Sequence, residues 1–314
     1  MSKIAFIFPG QGAQYVGMGK EIAMEHKSAQ DIFEKANESL GFDIKKMCFE
    51  GPEEELVKTE YTQPAILTTS IAILSVIQQN GIEADITAGL SLGEYSALVY
   101  AGALKFEDAV KLVNKRGKYM QEAVPLGKGN MAAIIGLDRK EVDSIIKEAQ
   151  DVGTVEGANY NCPGQIVISG EINAVEKACE LAKEKGAKKA VLLPVSAPFH
   201  CSLLKPAGER LSEKMESLNI GSLQRKVISN VTGDYIANEK DIKDLLIKQV
   251  SKSVLWQDSI ELMLDGGYDT FIEIGPGKTL TAFTKKTARK LKKKVKCYNV
   301  ENTKTLNKLL TELG

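Results

Sequence analysis

Residues 3–14, KIAFIFPGQGAQ, place five consecutive apolar side chains, Ile4 to Phe8, ahead of Pro9-Gly10. An unbroken apolar run of that length reads as a strand covered on both faces, here entering a glycine-rich loop. Helical spacing follows from Met18 to Met24 and from Ser28 to Leu40. Residues 61–81, YTQPAILTTSIAILSVIQQNG, read as a long apolar helix stopped at Gly81. DITAGL then reads as a strand and SLGEYSALVYAG as a helix, so the first third alternates strands and helices as an α/β fold with a parallel sheet does.

The rhythm changes between about Gly127 and Val195. GNMAAIIGL predicts a strand, DRKEVDSIIKEAQ a helix opened by an N-cap at Asp138, and TVEGANYN and GQIVISG two further strands. EINAVEKACELAKEKG predicts a helix and AKKAVLLPV a last strand. The order βαββαβ is that of a ferredoxin-like unit. Because buried-strand patterns resume at KVISNV (226–231) and YDTFIEIG (268–275), residues 127–195 are expected to form a small domain inserted into a large one built from 1–126 and 196–314.

Composition narrows the classes of function. The 314 residues are 43% apolar and 26% charged, with 41 basic and 41 acidic side chains, so no overall field favours nucleic acid or a membrane surface. Nine of the basic residues fall between Lys278 and Lys296, where there is no acid, leaving 32 basic against 41 acidic elsewhere. That stretch is either a solvated helix face or a local attractor of anions. Five cysteines without C-x-x-C pairing indicate neither a disulfide framework nor a zinc site, and a reducing cytoplasm fits. The first apolar run is cut too short for a signal peptide, and none approaches the length of a membrane span.

Two nucleotide-binding motifs fail on spacing. After Gly10 and Gly12 a dinucleotide fingerprint needs glycine at 15, where Tyr15 stands; the P-loop-like GPGKT (275–279) needs glycine at 272, where Ile272 stands. Gly89-Leu90-Ser91-Leu92-Gly93 does match G-x-S-x-G, and it lies between a predicted strand and a predicted helix. On such a turn Ser91 Oγ projects from a sharp corner at a helix N-terminus, where free N–H groups and the dipole favour negative charge, and the N–H of Leu92 faces a developing oxyanion. The bland alternative is an N-cap serine.

A serine nucleophile needs a base. Of the two histidines, His26 lies in a polar segment and reads as an exposed side chain. His200 ends LLPVSAPFH, a stiff approach between Pro194 and Pro198 that suits either a catalytic base or a buried structural histidine. No acid between Ser91 and His200 stands in a context that marks it as the third group of a triad. On the helix containing Phe106, Ala109, Val110, Val113, Gly117 and Met120 as one inward stripe, Arg116 borders the buried face; its planar fork suits a carboxylate, or it snorkels to water.

Together, FPGQGAQ, TQPAIL (62–67), GLSLGEYSAL (89–98), RG (116–117), NYNCPGQIVISG (159–170), LPVSAPFH (193–200) and IEIGPGK (272–278) resemble the malonyl-CoA:acyl carrier protein transacylases, in order over nearly the whole chain. The resemblance implies a hydrolase-like α/β core with a nucleophile elbow and a ferredoxin-like insert. It implies malonyl transfer through Ser91 as nucleophile and His200 as base and acid, with backbone N–H groups of Gln11 and Leu92 as the oxyanion hole. Arg116 is implied to clamp the malonyl carboxylate, and Gln249 to orient His200 through its main-chain carbonyl. Phe199, Gln63 and Asn159 complete the implied substrate-binding set. Malonyl-CoA and acyl carrier protein are the implied partners, in fatty acid synthesis. No cofactor or metal is implied, CoA being part of the substrate. Nucleic acid and membrane are not expected as partners, and a monomer is expected.

One position departs from the family pattern: Leu90 stands where histidine is usual, beside a nucleophile whose elbow it leaves intact. A serine hydrolase or thioesterase, which shares the elbow, is the alternative enzyme class, and a docking module without chemistry the alternative to an enzyme. Arg116 favours the transferase, because neutral acyl chains have no use for a cation.

Overall fold

The computed structural model describes residues 2–125, 127–195 and 197–313. Its main sheet contains β1 (Ile4–Phe8), β2 (Ile86–Gly89), β7 (Lys226–Val227), β8 (Thr270–Ile274) and β9 (Lys296–Val300), and its second sheet β3 (Gly129–Ile135), β4 (Val155–Cys162), β5 (Gln165–Glu171) and β6 (Lys189–Leu192). The main sheet runs β7-β2-β1-β8-β9 with every pairing parallel. β1 is central, and its buried apolar run explains the placement: both faces are covered by helices. β1 and β2 are neighbouring parallel strands, so the loops that follow them lie side by side at the carboxyl edge of the sheet, where open α/β sheets place their sites. Phe8 is in register with Gly89, which sets Pro9-Gly10 beside the start of the elbow.

The helix Thr59–Gln79 is buried around most of its circumference and packs on the helix Phe106–Glu122. Pro64 lies inside it and has no N–H to give the Glu60 carbonyl four residues back. Asn114 Nδ2 donates to that carbonyl instead, at 2.9 Å. Gly117 permits the approach, since a Cβ there would stand 2.4 Å from the Thr59 carbonyl oxygen. A proline and a glycine thus clamp two helices at the level where Arg116 faces Gln63.

The second sheet runs β4-β5-β3-β6, antiparallel throughout, with the helices Arg139–Ala149 and Ile172–Glu184 packed on it around Ile134, Val142, Ile145, Ile168 and Val175. This is the ferredoxin-like order, and Asp138 opens its first helix through a reciprocal capping box with Glu141. The expected junctions of the insert touch Leu126 and Ser196, which lie outside the described residues. β4 is tied to the larger body: Tyr160 N–H donates to the Val254 carbonyl at 3.0 Å and Val254 N–H to Ala158 at 2.8 Å. Arg139 adds a bidentate bond to Asp258 at 2.9 and 3.1 Å.

Two expectations need correction. The run 226–231 keeps only Lys226 and Val227 in the ladder, because Asn230 is drawn beneath the elbow and the chain turns there. His26 is half-buried rather than exposed: its backbone joins the helices Lys20–Glu25 and Lys27–Leu40, which packs the residue into the junction. Among the described residues no helix is long and apolar enough to cross a membrane.

Candidate active site

β2 ends at Gly89 and the next helix begins at Gly93, so the chain reverses direction within Leu90-Ser91-Leu92. Ser91 adopts the left-handed region with φ of 53°, a strain of order 1–3 kcal/mol for a residue with a Cβ. The flanking glycines are forced by contact. A Cβ on Gly89 would lie 1.9 Å from the Gly93 carbonyl group, and one on Gly93 would lie 2.1 Å from the Phe8 carbonyl oxygen. A Cβ on Gly10 would lie 2.4 Å from the Leu90 carbonyl oxygen, which is why the loop after β1 can reach the elbow. The Leu90 side chain lies over that same Gly10.

Ser91 Oγ and His200 Nε2 are 2.7 Å apart, and both residues are buried. His200 also has positive φ, at 60°. Its Nδ1 lies 2.8 Å from the Gln249 carbonyl oxygen. A carbonyl only accepts, so Nδ1 carries the proton and Nε2 of the neutral ring accepts from Ser91. Burial first, and the Arg116 cation second, hold the imidazole down at about 4. His200 is therefore neutral at neutral pH, ready to accept a proton.

Arg116 is 1% exposed, which decides against snorkelling. Its Nη1 donates to Gln63 Oε1 at 2.8 Å, and its Nη2 to Gln249 Oε1 at 2.9 Å and to Ser91 Oγ at 3.1 Å. The guanidinium lies over the Tyr95 ring at 5.5 Å. Burial lowers its pKa, yet arginine stays charged. A cation beside the serine oxygen, held only by neutral groups, is a receptor for an anion.

Ser91, His200, Arg116, Gln63 and Gln249, all singled out in the sequence, thus meet at one point. Leu92 is buried at the start of the helix Gly93–Tyr100, and Gln11 is half-buried, its Nε2 reaching Thr59 Oγ1 at 3.3 Å. Phe199 is buried in the main apolar cluster beside His200. Asn159 is buried on β4 at a register shift opposite Val254, and its side chain bonds none of the five among the described residues.

Two residues of the site went unread in the sequence. Asn230 Oδ1 accepts from Ser91 N–H at 2.6 Å and its Nδ2 donates to the Gly89 carbonyl at 2.7 Å, holding the elbow by its backbone. Glu94, fully buried, accepts from Gln249 Nε2 at 2.6 Å and from Asn230 N–H at 3.2 Å. Burial pushes its carboxyl up to about 7, against the hydrogen bonds it accepts. Its signal was an acid in the first turn of an otherwise apolar helix.

The family model described as the acyl transferase domain matches residues 5–308. The malonyl CoA-acyl carrier protein transacylase of Bacillus subtilis (strain 168) is 51% identical over 293 residues, covering 93% of this chain and 92% of its own. The crystal structure of the malonyl CoA-acyl carrier protein transacylase from Clostridium perfringens ATCC 13124 superposes with a TM-score of 0.96 at 51% identity, covering 99% of this chain and 97% of that one. A malonyl-transacylase solved with a type II polyketide acyl-carrier protein superposes with a TM-score of 0.95 at 41% identity, covering 99% and 100%. Coverage of both chains nearly end to end leaves no part of the fold unaccounted for, and the chain belongs to the acyl transferase domain family, among the malonyl CoA-acyl carrier protein transacylases.

Proposed function

We propose that this chain transfers the malonyl group of malonyl-CoA to the phosphopantetheine thiol of acyl carrier protein, through a malonyl ester on Ser91, supplying fatty acid synthesis. The observation that carries the reading is the contact of Ser91 Oγ with both His200 Nε2, at 2.7 Å, and Arg116 Nη2, at 3.1 Å. A base and a fixed cation at one hydroxyl suit a thioester whose acyl group ends in a carboxylate.

In the first half-reaction Ser91 Oγ attacks the thioester carbonyl while His200 Nε2 takes its proton; the C–S bond then breaks and the imidazolium returns the proton to the CoA sulfur. The second half-reaction is the reverse, with the carrier thiol giving its proton to His200 and attacking the ester. Atoms and charges balance without a metal or cofactor, so none is assigned. The oxyanion hole is assigned to the N–H groups of Gln11 and Leu92. In support, neither N–H has a hydrogen-bond partner among the described residues, and Gly10 brings the first loop against the elbow. Arg116, steadied by Gln63 and Gln249, would meet the malonyl carboxylate with its remaining N–H groups, and Phe199, beside His200, would limit the acyl α-carbon. Asn159 has the weakest support, lying on β4 without a bond to the reacting group.

Malonyl-CoA and acyl carrier protein are the partners named by relatives of nearly the same length. All five cysteines are free, which supports a reducing, cytoplasmic setting. The two-domain division, 127–195 within 1–126 and 196–314, is proposed on the separate sheets and on an apolar cluster of the insert's own around Ile134 and Val142, while Met131, Ala158 and Val167 join it to the main cluster. A serine hydrolase would pass the same ester to water. Partitioning tests the choice: with malonyl-CoA and holo carrier protein, malonyl should appear on the carrier thiol far faster than as free malonate, and the opposite order would discard transfer.

A further inference from the structure

Glu94 is a carboxylate with no access to solvent, three residues beyond the nucleophile, and no step of the proposed reaction uses it. Burying a charge is costly unless its bonds do something in return. One oxygen, Oε2, accepts from two amides that together hold almost every strained or reacting part of the site.

The first amide is Asn230, whose backbone N–H binds Oε2 and whose side chain grips Ser91 N–H and the Gly89 carbonyl. The second is Gln249. Its Nε2 has two hydrogens, and both are engaged, one by Glu94 Oε2 at 2.6 Å and one by the Ser91 carbonyl at 2.9 Å. That leaves Gln249 Oε1 facing Arg116 Nη2 at 2.9 Å, while the carbonyl of the same residue holds His200. A side-chain amide can flip, and only its partners decide which end faces where. Without an acceptor at Glu94 only the Ser91 carbonyl still holds that NH2, and the Gln249 amide can more readily turn it toward the guanidinium, donor against donor.

We infer that Glu94 is a positioning residue, which locks the Gln249 amide in the orientation that presents an acceptor to Arg116 and thereby fixes the arginine for an anionic acyl group. Cation, amide and carboxylate form a relay in which Arg116 and Glu94 are paired through the amide rather than directly. The inference rests on the transacylase reading and goes beyond it, because Glu94 touches no reacting atom.

Glutamine and aspartate at this position separate orientation from charge. Glu94→Gln loses the charge but places an amide oxygen where Oε2 was, still able to accept from both amides; its NH2 takes the place of Oε1, on the side of the carboxyl that neither amide uses. Glu94→Asp keeps the charge but falls short by one methylene. Acylation of Ser91 is measured with malonyl-CoA and acetyl-CoA in wild type, both variants and each variant combined with Arg116→Ala, alongside thermal melting. Positioning predicts a malonyl-to-acetyl ratio of kcat/KM within about threefold of wild type for Glu94→Gln and at least about tenfold lower for Glu94→Asp, the loss of one hydrogen bond to a charged group. In the Arg116→Ala background neither variant should move the ratio. The reverse ranking assigns Glu94 a role through charge and overturns the inference, as does a wild-type ratio in a folded Glu94→Asp protein. If Glu94→Asp does not fold, Gln249→Met removes the same amide: it should lower the ratio equally, and an unchanged ratio overturns the inference. Wild type that fails to acylate, or that shows no preference for malonyl, overturns the transacylase reading instead, and the inference with it.

Discussion

His200 Nδ1 donates to the main-chain carbonyl of Gln249 across 2.8 Å, so a peptide group does the orienting that an aspartate performs in a hydrolase triad. Burial, and then the Arg116 cation, depress the imidazole from 6.5 to about 4, and the neutral carbonyl raises it too little to compensate. The kcat/KM for serine acylation is therefore expected to stay level from pH 8 to about 5 and to fall tenfold per unit below about 4. Single-turnover acylation across this range checks it; an acid limb centred near 6.5 contradicts the burial argument.

The same shifts act on stability with opposite signs. The folded pKa of His200 is depressed, so its contribution is present above 6.5 and lost as pH falls toward 4. Glu94 is raised from 4.5 to about 7, so its contribution is present below 4.5 and lost as pH rises through 7. Each amounts to about 3 kcal/mol. Relative to wild type, Glu94→Gln should gain stability between pH 4.5 and 7 as pH rises, and His200→Gln should gain it as pH falls. Urea unfolding at several pH values checks the pair, and slopes of the same sign would refute it.

Arg116→Ala is expected to cut kcat/KM for malonyl-CoA by about 100-fold or more and to cost acetyl-CoA at least tenfold less, since only the former loses a charge-assisted fork. Arg116→Lys should restore little, because a point charge cannot span Gln63, Gln249 and a carboxylate as a planar fork does. Equal losses for both thioesters would remove Arg116 from acyl selection.

The elbow glycines are fixed by backbone contacts rather than by flexibility. Gly89→Ala puts a Cβ 1.9 Å from backbone atoms that cannot yield, and should cost more than about 3 kcal/mol or prevent folding. Gly186→Ala, in open space with φ of 87°, should cost only about 1 kcal/mol of backbone strain. Comparable losses in urea would show that sterics at the elbow do not decide its sequence.

Lys285, Lys286, Arg289 and Lys290 are exposed on the helix Thr279–Lys290, whose other face is buried by Leu280, Phe283 and Ala288. The local excess of cations should attract an acidic carrier or the phosphates of CoA, so KM is expected to rise with salt between about 50 and 500 mM while kcat changes little. A KM indifferent to salt would return this face to the role of a solvated surface.

Local pattern revealed the ferredoxin-like order and the elbow, because capping at Asp138 and the spacing of Gly89, Ser91 and Gly93 depend on neighbours in the chain. Relations between distant segments were opaque. Arg116 borders an apolar stripe by periodicity and proves fully buried, because Gly117 and Pro64 bring two helices together around it. Asn230 looked like part of a strand, and Glu94 stood unremarked in a predicted helix. Their purpose appears only when residues 136 and 155 positions further along the chain fold against Glu94.

The central claim is that Ser91 carries the malonyl group between donor and acceptor. Intact-mass measurement after mixing the protein with malonyl-CoA, no acceptor present, tests it most directly. One malonyl adduct that maps to Ser91 and is absent from Ser91→Ala is the expected result; an unmodified protein that nevertheless transfers malonyl to a thiol, or an adduct that survives in Ser91→Ala, would contradict it.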